Sequence, residues 1–116
     1  MRKIGGHLVG IDQGDIILFS DFEDGGPMWV DQGPREVRKS VEFSERYQSI
    51  PNVTVAISMW DLDQKSNTRA DISAESITRA GFELVFRTWS DTRIARMRAS
   101  WQSIGEVEDD EAWQLY

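Results

Sequence analysis

The sequence predicts an all-β fold, an antiparallel sandwich or barrel of short strands. Three observations predict it. Apolar side chains recur at every second position in several separate runs, as expected where a pleated strand buries one face. Turn-forming residues separate the runs at short intervals. The chain has 116 residues, of which 40% are hydrophobic and 28% charged, enough for one domain with one core.

The elements follow in order. His7–Asp12, a turn at Gln13-Gly14 and Asp15–Phe19 read as an N-terminal hairpin. Residues 21–33, with three Gly, Pro27 and four acids around Met28-Trp29, read as a long surface loop. Val37, Lys39, Val41 and Phe43 alternate with Glu36, Arg38, Ser40 and Glu42; Val53, Val55, Ile57 and Met59 repeat the pattern. The segment 69–77 follows the turn 63–67. Ile72 and Ile77 within it and Thr78 just after it are β-branched, and it is too short for a stable helix, so it reads as a strand. Phe82, Leu84 and Phe86 form the next stripe, against Glu83, Val85 and Arg87, and Ala95, Met97, Ala99 and Trp101 the last. Residues 89–92 join these two as a tight hairpin. Positions 106–111 hold five acids, and the chain closes on Ala112-Trp113-Gln114-Leu115-Tyr116. An acidic run of this kind is a solvated tail, unless its aromatic end folds back or docks on a neighbouring protomer. The expected organisation is one domain over 1–116: a core at 35–105, N-terminal strands and loop at 1–34, and an acidic-aromatic tail at 106–116.

Composition narrows the function. Thirteen Lys and Arg against 20 Asp and Glu give a net charge of −7, and the isoelectric point is near 4.6. Neither nucleic acid nor an anionic membrane surface suits such a chain. Cys is absent and His7 is the single histidine, which excludes disulfides, thiolate chemistry and multi-His metal sites. No catalytic set, metal or cofactor is expected. The longest wholly apolar run, Ile16–Phe19, is far short of the ~20 residues of a membrane span. The N-terminus lacks the apolar stretch of a signal peptide. The expectation is therefore cytoplasmic synthesis, with release by lysis or on a particle left open. Asn52-Val53-Thr54 matches a glycosylation acceptor, which carries little weight without export.

Several constellations invite a chemical reading. Asp61-x-Asp63-x-Lys65 begins like a calcium loop, but Lys65, Ser66 and Ile72 occupy the positions of a ligand, the sharp-turn Gly and the bidentate Glu. Asp21/Glu23 and Asp61/Asp63 are carboxylate pairs of the kind glycosidases use, with nothing to fix their separation. Gly25-Gly26-Pro27 lacks the GK[ST] of a phosphate loop, and no helix is expected after it. Arginine is more informative: Arg69, Arg79, Arg87, Arg93, Arg96 and Arg98 crowd the second half. Arg96 and Arg98 share one strand face and suit carboxylates on an adjacent strand or protomer. Arg69 at a strand start and Trp89 at a hairpin tip reach one rim. There an indole face can stack on a sugar ring while a guanidinium and a carboxylate satisfy hydroxyls.

From Arg35 onward the chain resembles the H-type lectin family, the group of snail agglutinins and the C-terminal domains of slime-mould discoidins. The residues that carry the resemblance are Arg35-Glu36-Val37, Val41-Glu42-Phe43, Tyr47, Pro51-x-Val53, Ser58-x-x-Asp61 and Asn67-x-Arg69. They continue with Gly81-Phe82, Thr88-Trp89-x-x-Thr92 and Ser100-Trp101-x-Ser103-Ile104-Gly105. Residues 91–96 and the stretch up to 34 look more like a bacterial branch. The resemblance implies a six-stranded antiparallel β-sandwich, here with the extra N-terminal hairpin segment, that assembles as a parallel trimer. Three metal-free sites for galactose or N-acetylgalactosamine would lie at one end between protomers. It places a ligand guanidinium at Arg69 and a sugar-facing indole at Trp89. Ser90 stands where the snail protein has His, and Asp31 is the nearest match to the ligand carboxylate, with Gln32 beside it as the alternative. No disulfide-linked dimer of trimers is expected.

The function these readings imply is non-enzymatic recognition of glycans by a homotrimer. Arg69 would donate, Asp31 accept, Trp89 stack and Ser90 bond at the rim, with the indole of one chain and the guanidinium of the next flanking a shared cleft. The alternative keeps the trimer and gives it a protein partner, as an adaptor on a phage-like particle. A glycosidase would release reducing sugar, and none is expected.

Overall fold

The structure is a computed structural model, and it describes residues 1–108. The tail from 109 to 116, with its aromatic end, lies outside the described residues. Six strands form: β1 (Leu8–Phe19), β2 (Arg35–Glu42), β3 (Asn52–Leu62), β4 (Asp71–Glu75), β5 (Gly81–Thr88) and β6 (Ile94–Val107). They make two three-stranded antiparallel sheets, ordered β1-β6-β3 and β2-β5-β4. The β-sandwich expected from the sequence is the observed fold. Its core lies between the sheets, built on Leu18, Phe43, Leu84, Phe86, Ile94, Met97 and Ala99. Phe43, Phe82 and Trp101 fill one end, with Phe43 and Phe82 stacked at 5.8 Å and Phe82 edge-on to Trp101 at 5.6 Å.

Several local expectations differ from what forms. The N-terminal hairpin is one continuous strand, β1, paired along its length with β6. Gly14 lies opposite Trp101, and a Cβ there would meet the indole Nε1 at 2.9 Å. The glycine marks close approach of a ring, where the sequence suggested a turn. A bulge between Ile17 and Phe19 sends consecutive Leu18 and Phe19 into the core. A second bulge after Ile57 places Met59 opposite Arg98, so Met59 leaves the inward stripe of Val53, Val55 and Ile57.

Residues 21–33 are more ordered than a loop. They form two helical turns, α1 (Asp21–Asp24) and α2 (Pro27–Val30). An Asp21 carboxylate oxygen accepts from the Met28 amide at 2.9 Å, and the Met28 side chain, 1% exposed, plugs the end of the sandwich. A helical turn thus does follow Gly25-Gly26. Residues 89–93 are no hairpin either, because β5 and β6 belong to different sheets and the segment crosses between them. The acidic stretch begins inside β6, where the Glu106 carbonyl accepts from the Gln48 amide at 2.8 Å.

The two outer faces differ in kind. On β2-β5-β4, Arg38 meets Glu36 (3.1 Å), Glu83 (2.8 Å) and Glu75 (3.6 Å), while Arg87 meets Glu36 (2.9 Å) and Glu75 (2.8 Å). Val85, on the outward stripe by its spacing, is fully buried beneath these side chains, because long arginine stems cover apolar surface while their heads stay wet. On β1-β6-β3 the outward residues include Ile11 and Ile17, 62% and 64% exposed. Beside them a groove of about 500 Å³ runs over small side chains such as Thr54, Ala56 and Ser100.

Two outcomes follow from these contacts. Hydrogen bonds from Arg38 hold the Glu36 carboxyl below the usual carboxylate range, and those from Arg87 do the same for Glu75. A depressed folded-state value means stability that is complete above about pH 4.3, the ordinary Glu value, and lost as pH falls through the folded-state values. Thermal midpoints followed by circular dichroism from pH 6 to pH 3 should decline at the acid end, and more shallowly in the Glu36→Gln/Glu75→Gln double variant; equal slopes would refute the linkage. Gly81→Ala should destabilise by about 1–3 kcal/mol in urea titrations. Its Cβ would collide with the Val41 carbonyl oxygen across the β2–β5 ladder.

Candidate functional site

The antiparallel register brings three connections to one pole. β1 ends there at Phe19, β3 at Leu62 and β5 at Thr88, while β2, β4 and β6 begin there at Arg35, Asp71 and Ile94. The connections 20–34, 63–70 and 89–93 therefore meet beyond the ends of both sheets. Leu8 and Val107, paired with each other, lie at the opposite pole.

Hydrogen bonds knit the three connections together. The Thr88 hydroxyl donates to the Arg69 carbonyl and the Thr92 hydroxyl to the Asn67 carbonyl, both at 2.5 Å. The Arg69 guanidinium donates from Nη1 to Asp91 Oδ1 at 2.5 Å and to Thr92 Oγ1 at 3.3 Å. The bond from Arg69 holds the Asp91 carboxyl below its ordinary value. Arg69 thus lies against the connection that carries Trp89 and Ser90, within one protomer. Trp89 is 44% exposed. Ser90 adopts a left-handed conformation, φ 61°, and its carbonyl accepts from the Gly33 amide (2.8 Å) and from Arg35 Nη2 (3.2 Å).

Arg35 supplies the organising contact that sequence reasoning did not assign. It is 8% exposed and donates to three carbonyls: Gly33 (2.9 Å), Met28 (3.4 Å) and Ser90 (3.2 Å). Burial pushes its pKa down, and the charge of Asp31 opposes that shift. Asp31 caps α2, its amide bonded to the Pro27 carbonyl. Arg93 completes the frame. Its Nε donates to the Trp29 carbonyl at 2.8 Å, its guanidinium lies 4.6 Å over the Trp29 ring, and it reaches Asp63 at 3.7 Å. The sequence-level signal for Arg35 and Thr92 is their place in the resemblance motifs, and for Asp91 its place between Trp89 and Thr92, without any indication of their partners.

Asp61 and Asp63, of the calcium-like stretch, are engaged in structure. Asp63 Oδ1 accepts from the Lys65 amide, as an Asx turn does, and Asp61 pairs with Arg96 at 3.2 Å. Arg98 donates to the Ser58 hydroxyl at 3.1 Å, on the adjacent strand. Among the described residues, no group of three or more His, Asp or Glu side chains gathers to hold a metal ion. What the pole offers is an indole face, guanidinium and carboxylate groups, and a hydroxyl, a set suited to a neutral polyhydroxylated ligand.

These features define the class: a β-sandwich of the kind found in discoidin II of Dictyostelium discoideum. One solved structure of recombinant discoidin II aligns with a TM-score of 0.74, covering 93% of this chain and 41% of that one at 17% identity. Another, of wild-type discoidin II, gives 0.74, 91% and 40% at 18% identity. The chain belongs to the H-type lectin domain family, whose profile matches residues 38–104. It is also similar to the protein "ATP synthase subunits region ORF 7" of Fuscovulum blasticum, 58% identical over 95% of this chain and 96% of that one. A discoidin-1 polypeptide of Dictyostelium discoideum is 31% identical over 60% of this chain, and the match spans 28% of that polypeptide.

The left-handed backbone at Ser90 gives a direct test of the site's architecture. Ser90→Val places a β-branched residue there and should cost roughly 1–2 kcal/mol, whereas Ser90→Gly should fold at least as stably as the parent. Urea midpoints of the two variants check the order, and equal midpoints would contradict it.

Proposed function

We propose that the protein is a non-enzymatic carbohydrate-binding module that acts as a homotrimer, taking galactose or N-acetylgalactosamine-type glycans without a metal. The observation that carries the reading is the fixed pole at which Arg69, tied to Asp91 and Thr92, stands beside the connection bearing the exposed Trp89. Trp89 supplies the stacking face, Arg69 donates from its remaining N–H groups, Ser90 bonds at the rim, and Asp31 accepts from hydroxyls at the protomer boundary. The snail agglutinins that the sequence resembles have a His where Ser90 stands, and the smaller hydroxyl leaves space for a substituent on the ring.

The trimer reading draws on the contrast between the two outer faces. The β2-β5-β4 face pairs its charges internally and suits water. The β1-β6-β3 face leaves Ile11 and Ile17 exposed beside a groove, and suits contact between copies. Parallel packing about a threefold sets three poles facing one way. A single sugar contact has a Kd of roughly 0.1–1 mM, or −4 to −5.5 kcal/mol. Three together raise avidity toward a glycan-coated surface.

Trp89→Ala should abolish binding on a glycan array and in calorimetry while leaving the trimer mass unchanged by light scattering. Undiminished binding would remove Trp89 from the site. A monomeric parent protein would remove the trimer. A silent array together with capture of a particle protein would favour the adaptor reading.

A further inference from the structure

A second pocket lies where the β1–β2 connection overhangs the end of sheet β1-β6-β3. It encloses about 240 Å³ and is lined by Phe22, Glu23, Trp29, Asp61, Leu62 and Arg96. Phe22 and Trp29 meet edge to face at 5.3 Å and 82°, making an aromatic corner. Phe22 is 60% exposed on a four-residue helical turn, and no core contact accounts for a phenyl ring there. Trp29 is held in place: its carbonyl accepts from Arg93, and the Arg93 guanidinium covers its ring. Across the pocket Asp61 and Arg96 pair at 3.2 Å, each about half exposed. The aromatic corner comes from residues outside the family-matched segment 38–104.

The chemistry of the lining selects the ligand. Arg93 already occupies the Trp29 ring, so a second cation would meet a like charge. Glu23 and Asp61 disfavour an anion. A neutral ring with one apolar face and several hydroxyls satisfies both halves: its C–H face lies on the aromatic corner, and its hydroxyls reach Glu23, Asp61 and Arg96. The volume is below the ~300 Å³ at which pockets for drug-sized ligands begin, and it suits a single ring. We infer that this shoulder pocket is a second saccharide site, taking one neutral hexopyranose ring independently of Trp89. The inference rests on the reading of the chain as a sugar binder, and not on the residues of the first site.

The experiment follows the indole N–H resonances of Trp29 and Trp89 in the full chain. The probes are the methyl glycosides of galactose, N-acetylgalactosamine, glucose and mannose, with tetramethylammonium and acetate as charged controls. A saturable Trp29 shift with at least one glycoside is expected, kept in Trp89→Ala and weakened about tenfold in Phe22→Ala, the scale of one lost aromatic contact. An unchanged Trp89 response in Phe22→Ala would show that this variant folds. If Trp89 responds to sugar and Trp29 does not, the second site is overturned and the first stands. If Trp29 responds only while Trp89 is present, or only to a charged control, independence or ligand class is overturned. If neither indole responds to any glycoside, the sugar-binding reading falls with it.

Discussion

The candidate pole depends on one buried guanidinium. Arg35 begins β2 and is almost wholly removed from water, yet its donors reach three backbone carbonyls from two different connections. Burying a charge is costly unless every donor finds a partner; here carbonyls supply the partners and Asp31 the nearby negative charge. The consequence is mechanical. The α2 turn is held at the strand ends with Met28 driven into the core, and the Ser90 carbonyl is drawn toward Arg35 and the Gly33 amide. That orientation of the carbonyl goes with the left-handed backbone at Ser90, a strain the converging bonds can hold. Trp89 therefore projects from a fixed base, although its own side chain stays exposed.

The same pole holds three ion pairs in a chain of net charge −7. Arg69 pairs with Asp91, Arg93 with Asp63 and Arg96 with Asp61. Pairs this exposed are each worth little. The pairing leaves donors and acceptors in balanced sets at these three places, while Asp21, Glu23, Asp24 and Asp31 on the 20–34 connection add negative charge that disfavours an anionic partner.

How much of this was legible in the sequence varied with the range of the contact. The alternating stripes at 37–43, 53–57 and 82–86 report a local property, the pleat, and each became a strand as expected. Features that depend on distant neighbours were misread. Gly14 resembled a turn because the indole of Trp101, far along the chain, is invisible in a local window. The bulges at Ile17 and Ile57 are set by β6, and no spacing within β1 or β3 announces them. Residues 89–93 looked like a hairpin because short connections between antiparallel stripes normally are; sheet membership is a tertiary fact. Of the site, Arg69 and Trp89 were legible through the resemblance and do converge on one pole. The partners that hold them, Asp91, Thr92 and Arg35, were not legible as partners, since a hydrogen bond across 22 or 55 residues leaves no periodic trace.

The contrast between the two outer faces bears on the proposed trimer. A small sandwich has to decide which sheet meets water, because each outer face carries half of its alternating residues. Here β2-β5-β4 is closed by its own ion pairs, with Val85 sealed beneath them, so another chain docking there would have to break several pairs at once. Among the described residues the β1-β6-β3 face carries no such lattice over Ile11 and Ile17, and contact there removes apolar surface from water at ~25 cal/mol per Å². All three strands of that sheet have one end at the pole that bears Trp89, β1 and β3 finishing there and β6 starting there. Copies packed side by side and in parallel along it would align their poles, so the face that favours association is also the one that would set the direction of display.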